Sequence, residues 1–259
     1  AIGADILTIK EAVEFDRHVS HEDDLLITSC CCPMWVGMIR KVYGEFVKDV
    51  SPSVSPMIAV GRIIKKFKPN TKVVFVGPCA AKKSEARDAG IEGAIDYVLT
   101  FQEVQEMLNI QNINPIELKP LISMDYASKG GRLYGKTSGV SQAVAEAIEE
   151  MFPEKYDIFK PVQANGIKEC KEMLTNLREG KVKATFVEGM GCAGGCVGGP
   201  KAIIPVEKAT ELLTKTANQS AVKVTVNSDV MMQLLKKLGV DSLDDFMDPD
   251  KIKILERTF

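Results

Sequence analysis

Residues 184–200 read Ala184-Thr185-Phe186-Val187-Glu188-Gly189-Met190-Gly191-Cys192-Ala193-Gly194-Gly195-Cys196-Val197-Gly198-Gly199-Pro200. Ala184 to Glu188 is an apolar, β-favouring run of strand length, and the remainder is a glycine-rich loop. Such a loop lets the backbone close on a bulky ligand, because glycine adds no Cβ. The same pattern occurs twice earlier in the chain. Leu25-Leu26-Ile27-Thr28 reads as a short buried strand running into Ser29-Cys30-Cys31-Cys32-Pro33, and Lys72-Val73-Val74-Phe75-Val76 as one ending at Gly77-Pro78-Cys79. Three strand ends therefore each deliver cysteine into a loop.

Helical patterns lie between these strands. Gly3 to Ser20 carries Ile6, Ile9 and Val13 at helical spacing, and Glu11 and Glu14 fall near one another on it. A helix is expected from Met34 to about Lys48, with Pro33 in its first turn, and another from Met57 to Phe67. Tyr97-Val98-Leu99 is a short strand, and Thr100-Phe101-Gln102-Glu103 is a capping box opening a helix to about Leu108. Further helices are expected at Gly139 to Met151 and Ile167 to Arg178, with a strand near Pro161 to Gln163 between them. Leu235 to Phe259 reads as a helix and charged turns, serving packing and surface.

Alternating strands and helices predict an α/β fold of mostly parallel sheets flanked by helices, with ligands beyond the carboxyl ends of the strands. The pattern weakens between Asn109 and Lys136, so two lobes are expected, residues 1–120 and 121–259. The 259 residues carry 33 Lys and Arg against 35 Asp and Glu, a net charge of −2. Scattered charge of this kind provides no basic face for nucleic acid. No apolar run reaches membrane-spanning length. The start, Ala1-Ile2-Gly3-Ala4-Asp5, has neither an initiator Met nor a signal pattern, and the N-terminus is expected to be incomplete.

Seven cysteines, three of them adjacent, do not suit a regular disulfide framework and point to metal chemistry in a reducing compartment. Zinc sites usually pair two short Cys-x2-4-Cys knuckles; this chain has one Cys-x3-Cys pair and two isolated loops, which favours an iron–sulfur cluster. Cys170, on its helix, reads as a buried inert thiol. Lys82, so soon after Cys79, needs an anionic partner if buried: cluster sulfides, an anionic ligand or Glu85. Lys83 reads as surface, and for Glu11 and Glu14 the plain alternative is a solvated helix face.

Thr28-Ser29-Cys30-Cys31-Cys32-Pro33-Met34-Trp35, Pro78-Cys79-Ala80-Ala81-Lys82-Lys83-Ser84-Glu85 and Glu188-Gly189-Met190-Gly191-Cys192-Ala193-Gly194-Gly195-Cys196 resemble, in order, the three signature loops of the FeFe hydrogenase catalytic domain. The likeness runs from Gly3 to about Pro200. It implies two α/β lobes with a metal cluster, the H-cluster, at the lobe interface, and reversible oxidation of H2 there in an anaerobe's cytoplasm. That cofactor is a 4Fe-4S cubane joined through one cysteine to a di-iron unit with CO, cyanide and an azadithiolate bridge. By motif Cys32, Cys79, Cys192 and Cys196 would hold the cubane, Cys196 bridging to the di-iron unit. Lys82 would bond a cyanide, and Met190, Pro78 and Gly77 would surround the di-iron site. Cys31 matches the family's proton-relay thiol, and Glu11, Glu14 and Ser51 its proton route. The implied partners are a ferredoxin or iron–sulfur subunit for electrons and maturases for cluster insertion, with no nucleic acid and no membrane.

The chain departs from the family pattern in three respects. Three cysteines precede Pro33 instead of two, Gly77 stands where catalytic members commonly have Met, and the likeness begins inside the catalytic domain. Two other functions stay open: a redox or H2 sensor with slow turnover, and a non-catalytic assembly protein holding a cubane alone.

Overall fold

A computed structural model describes residues 1–28, 31–119 and 126–259. Helix α1 (Ile2–His18) is followed by strand β1 (Leu26–Ile27), helix α2 (Pro33–Val42), helix α3 (Pro56–Phe67), strand β2 (Val74–Gly77), the short helix α4 (Lys82–Glu85), strand β3 (Tyr97–Thr100) and helix α5 (Phe101–Ile110). Beyond residue 126 come α6 (Lys129–Leu133), α7 (Gly139–Met151), β4 (Pro161–Asn165), α8 (Ile167–Arg178), β5 (Phe186–Met190), α9 (Val206–Asn218), α10 (Asp229–Leu238) and α11 (Pro249–Ile252).

Local chemistry accounts for most of the boundaries. Pro33 and Pro56 sit in the first turns of α2 and α3, where a missing N–H costs nothing. Thr100 and Glu103 form the expected capping box on α5, the Glu103 carboxylate accepting from the Thr100 N–H at 2.7 Å. Helix α2 stops at Val42, short of the expected Lys48, and a 3-10 segment, Gly44–Asp49, continues the chain. There the Tyr43 hydroxyl reaches Thr175 on α8 at 3.2 Å and Arg178 lies over its ring, a tertiary contact that outweighs local helix propensity. Strand β5 runs two residues past the expected Glu188 because β4 pairs with it through Met190.

Every strand pair is parallel. One sheet has the order β1-β5-β4 and the other pairs β2 with β3. The expected lobe boundary at 120/121 falls outside the described residues. Across it, β1 is laddered to β5, so one sheet draws on both stretches.

Helix α1 fills the middle of the molecule, buried from Gly3 to Phe15 and packed by α3, α6 and α7. A surface helix would bury one stripe. Here Asp5, Lys10, Glu11 and Glu14 are buried too, which corrects the solvated-face alternative and requires an internal partner for each. Asp5 accepts from the Ser128 N–H at 2.9 Å and from its hydroxyl. Phe15, Phe159 and Phe186 close the core beside it, with centroids 4.9 to 6.3 Å apart. Among the described residues no helix is long and apolar enough to cross a membrane.

Candidate metal centre

The third cysteine loop starts where β5 ends, and the last strand residues fix it. Glu188 is fully buried and accepts from the Ser138 N–H (2.9 Å), the Ser141 N–H (2.7 Å) and the Ser141 hydroxyl (2.6 Å), which caps the start of α7. Burial pushes its carboxyl above the usual range, against the pull of those donors. Gly189 lies under Trp35: a Cβ there would stand 2.3 Å from the indole. The indole N–H donates to the Thr28 carbonyl at 2.9 Å, closing the first loop on itself, while the ring's packing on Gly189 ties that loop to the third.

Backbone contacts hold all three loops together. The Gly191 N–H points at Cys32 Sγ, 3.4 Å away, and the Lys201 N–H donates to the Pro78 carbonyl at 2.9 Å. Gly195, at φ 85°, passes so near residues 136–137 that a Cβ would meet Thr137 N at 2.6 Å. Both its left-handed geometry and this close approach require glycine.

The four cysteines singled out in the sequence are brought within electrostatic reach of one another. Burial pushes the Cys196 thiol up to about 12, with Cys32, Cys79 and Cys192 adding to the effect and Lys82 opposing it. Cys192 is raised by burial and then by Cys32 and Cys79. Among the described residues no three His, Cys, Asp or Glu side chains close on a single metal ion. A multi-iron core, gripped at its corners, takes more widely spaced sulfurs, so the donor set could hold a cubane. Glycine amides beside it would favour its anionic state. Cys170 is fully buried on α8 and pushed up to about 12 by burial, as expected of an inert thiol. Cys30 lies outside the described residues.

On one side of Cys196 a cavity of ≈ 440 Å³ opens, lined by Cys31, Lys82, Phe75, Phe101, Tyr134 and Cys196 among others. Lys82 is 5% exposed, and its ammonium bonds Glu85 at 2.6 Å, the third of the anionic partners expected for it. Burial pulls its pKa down, yet Glu85, Cys31 and Cys196 outweigh that and leave it raised. The Phe75 ring covers Gly77, since a Cβ there would sit 2.8 Å from it. Phenylalanine bulk thus stands where a side chain at residue 77 would go. Met190 is buried at the end of β5, its carbonyl accepting from the Gly166 N–H at 2.7 Å. Lys83 is half-exposed and pairs with Glu103.

Ala4, near the start of α1, lines the cavity, and Glu11 and Glu14 lie about two to three turns further along that helix. Glu11 accepts from the Thr28 hydroxyl, and Glu14 from the Ser51 hydroxyl at 2.7 Å; Ser51 also reaches Ser53 at 2.9 Å. All five side chains are buried. Glu14 and Ser51 line a surface groove of ≈ 580 Å³ on the far side. The sequence reading named no role for Phe75, Lys10 or Glu256. Lys10 touches both Glu14 and Glu256; no periodic signal marks Glu256, which the fold brings in from the tail.

Residues 1–200 match the family model for the iron only hydrogenase large subunit, C-terminal domain. Iron hydrogenase 1 of Clostridium pasteurianum is 27% identical over 237 residues, covering 76% of this chain and 41% of that protein. A probable cytosolic Fe-S cluster assembly factor of Anopheles gambiae is 26% identical over 254 residues, covering 80% of this chain and 53% of its own length. The chain thus spans about half the length of the curated relatives it matches. The apo FeFe-hydrogenase HydA1 from Chlamydomonas reinhardtii superposes with a TM-score of 0.75 at 23% identity, covering 99% of this chain and 82% of that one, a likeness of fold.

Proposed function

The chain belongs to the iron-only hydrogenase large-subunit, C-terminal domain family, and from that premise we propose that it is an FeFe hydrogenase carrying a complete H-cluster. Cys32, Cys79, Cys192 and Cys196 would hold the cubane, and the cavity beside Cys196 would receive the di-iron unit. When bound, this group supplies the redox chemistry that interconverts H2 with protons and electrons. Lys82 offers its ammonium to an anionic ligand of the di-iron unit, with Glu85 fixing it from behind. Phe75, Phe101 and Tyr134 give the cavity its aromatic walls. Cys31 takes up and releases protons at the cavity, and Glu11, Ser51 and Glu14 carry them toward the groove.

The observation that carries this reading over a cubane-only assembly role is the cavity itself. A protein holding one cubane has no use for a space beside Cys196 lined by the Cys31 thiol and the buried Lys82 ammonium. A ferredoxin or iron–sulfur subunit is the electron partner that this reading requires. The ≈ 870 Å³ groove beside Met34, with Arg40, Lys41 and Lys171 on its walls, suits an acidic docking partner. Maturases supply the di-iron unit, and the cytoplasm is the compartment that keeps these thiols reduced.

Infrared spectra of matured protein test the reading. CO and cyanide bands with H2 turnover support it; bands with very slow turnover leave a sensor, and a cubane without bands leaves an assembly protein. A second expectation concerns protons. Cys192 and Cys196 are held protonated at neutral pH by burial, so cubane uptake by the cluster-free chain should release protons to a weakly buffered solution and should weaken as pH falls.

A further inference from the structure

The buried chain of hydroxyls and carboxylates does not stop at Glu14. Lys10 is fully buried on the preceding turn of α1 and touches Glu14 on one side, and Glu256 at 3.1 Å on the other. The Glu256 side chain is 26% exposed and lines the same ≈ 580 Å³ groove as Glu14 and Ser51. It arrives there because the C-terminal segment is strapped across residues 52–54. The Val54 N–H donates to the Leu255 carbonyl at 2.8 Å, the Arg257 N–H to the Pro52 carbonyl at 2.9 Å, and Ser53 bridges Glu256. Arg62 adds a bond to the Glu256 carbonyl at 2.7 Å. The backbone of Glu256 is therefore held independently of its carboxylate.

Building on the hydrogenase reading, we propose that Lys10 and Glu256 form the outer end of the proton path, so that a proton leaving Glu14 reaches the groove through the Lys10 ammonium. An ammonium nitrogen has no lone pair, so Lys10 gives before it takes: one Lys10 N–H bond breaks as an O–H bond forms on Glu256, and the freed Nζ lone pair then forms a new N–H bond as the Glu14 O–H bond breaks. One proton moves from Glu14 to Glu256, and Lys10 ends charged as it began. Burial alone would drive the proton off Lys10, but Glu14 and then Glu256 outweigh it and raise its proton affinity. The neutral amine between the two transfers is accordingly short-lived, and Lys10 returns at once to its charged form. Glu14 and Glu256 are the charged groups that contact Lys10; His18, Asp23, Asp24, Lys48 and Asp49 stand farther out on the groove walls. His18, one turn beyond Glu14 on α1, is the competing outlet.

The test compares Glu256→Gln, Glu256→Asp and His18→Gln in matured protein, with NMR of labelled lysine in the cluster-free chain. Glu256→Gln should slow H2 turnover at least about tenfold, Glu256→Asp should restore most of it, and His18→Gln should leave it unchanged. In the cluster-free chain Glu256→Gln should lower the pH at which Lys10 loses its proton, since one of its two carboxylates is gone. Wild-type turnover undiminished in Glu256→Gln, or a Lys10 titration that does not move, overturns the outlet while the hydrogenase reading stands. Matured wild type with no H2 turnover overturns that reading, and the outlet with it.

Discussion

Cys31→Ala is expected to lower H2 turnover by about two to four orders of magnitude while leaving the iron content of the cubane unchanged. The size follows from what a positioned proton-transfer group contributes to a reaction. The selectivity follows from geometry. Cys31 is buried and lines the cavity beside Lys82 and Cys196, whereas Cys32 is the thiol approached by the Gly191 amide. A ligand thiolate is committed to iron and cannot shuttle a proton freely; a neighbouring thiol can. Cys30→Ala, at the extra cysteine of the first loop, should retain turnover. Iron analysis and H2 evolution on the same preparations decide the matter. Iron lost from Cys31→Ala, or turnover abolished in Cys30→Ala but kept in Cys31→Ala, would reverse the division between ligand and relay.

The second large effect is on stability. Glu85→Ala should destabilise the cluster-free chain by about 3–5 kcal/mol, the cost of stranding a buried charge by deleting its partner. Lys82 and Glu85 are both buried and 2.6 Å apart, and Arg257, also buried, stands 3.9 Å from the second carboxylate oxygen. That oxygen has no hydrogen-bond partner among the described residues. Removing the carboxylate leaves two cations facing each other across the space it filled. Because the Lys82 pKa is raised on folding, the pair's contribution is intact below the unfolded lysine value of about 10.4 and is lost as pH climbs through the folded value. Denaturant unfolding at neutral pH should therefore show the full loss, and the difference between Glu85→Ala and wild type should shrink in strong alkali. The matured protein should lose less, since an anionic cofactor ligand replaces part of what Glu85 supplied. An unfolding midpoint unchanged by Glu85→Ala would mean that Lys82 is not held as a buried cation.

The strands and helices that carry the three loops were legible because their signals are short-range. Pro33 and Pro56 open helices, Thr100 and Glu103 cap one, and Gly139 to Met151 and Ile167 to Arg178 fold over the expected spans. The errors occurred where distant contacts intervened. Helix α2 ends early where Tyr43 engages α8, and β5 is extended by pairing with β4. The tail was read as packing and surface, yet it delivers Glu256 to Lys10 and Arg257 to Glu85. Neither residue carries a local pattern that distinguishes it from an ordinary surface charge.

The amino-acid order by itself determined the alternation of strands and helices, the delivery of cysteines at strand ends and the family to which those loops correspond. Each depends on side-chain periodicity, turn chemistry or motif within a few residues. Tertiary structure alone decided that α1 is a central helix with buried charges, that Phe75 covers Gly77, and that a cavity joins Cys31, Lys82 and Cys196. Those outcomes rest on distances and desolvation between groups remote in the chain. Coulomb interaction and burial act through space, and spacing along the backbone does not encode them.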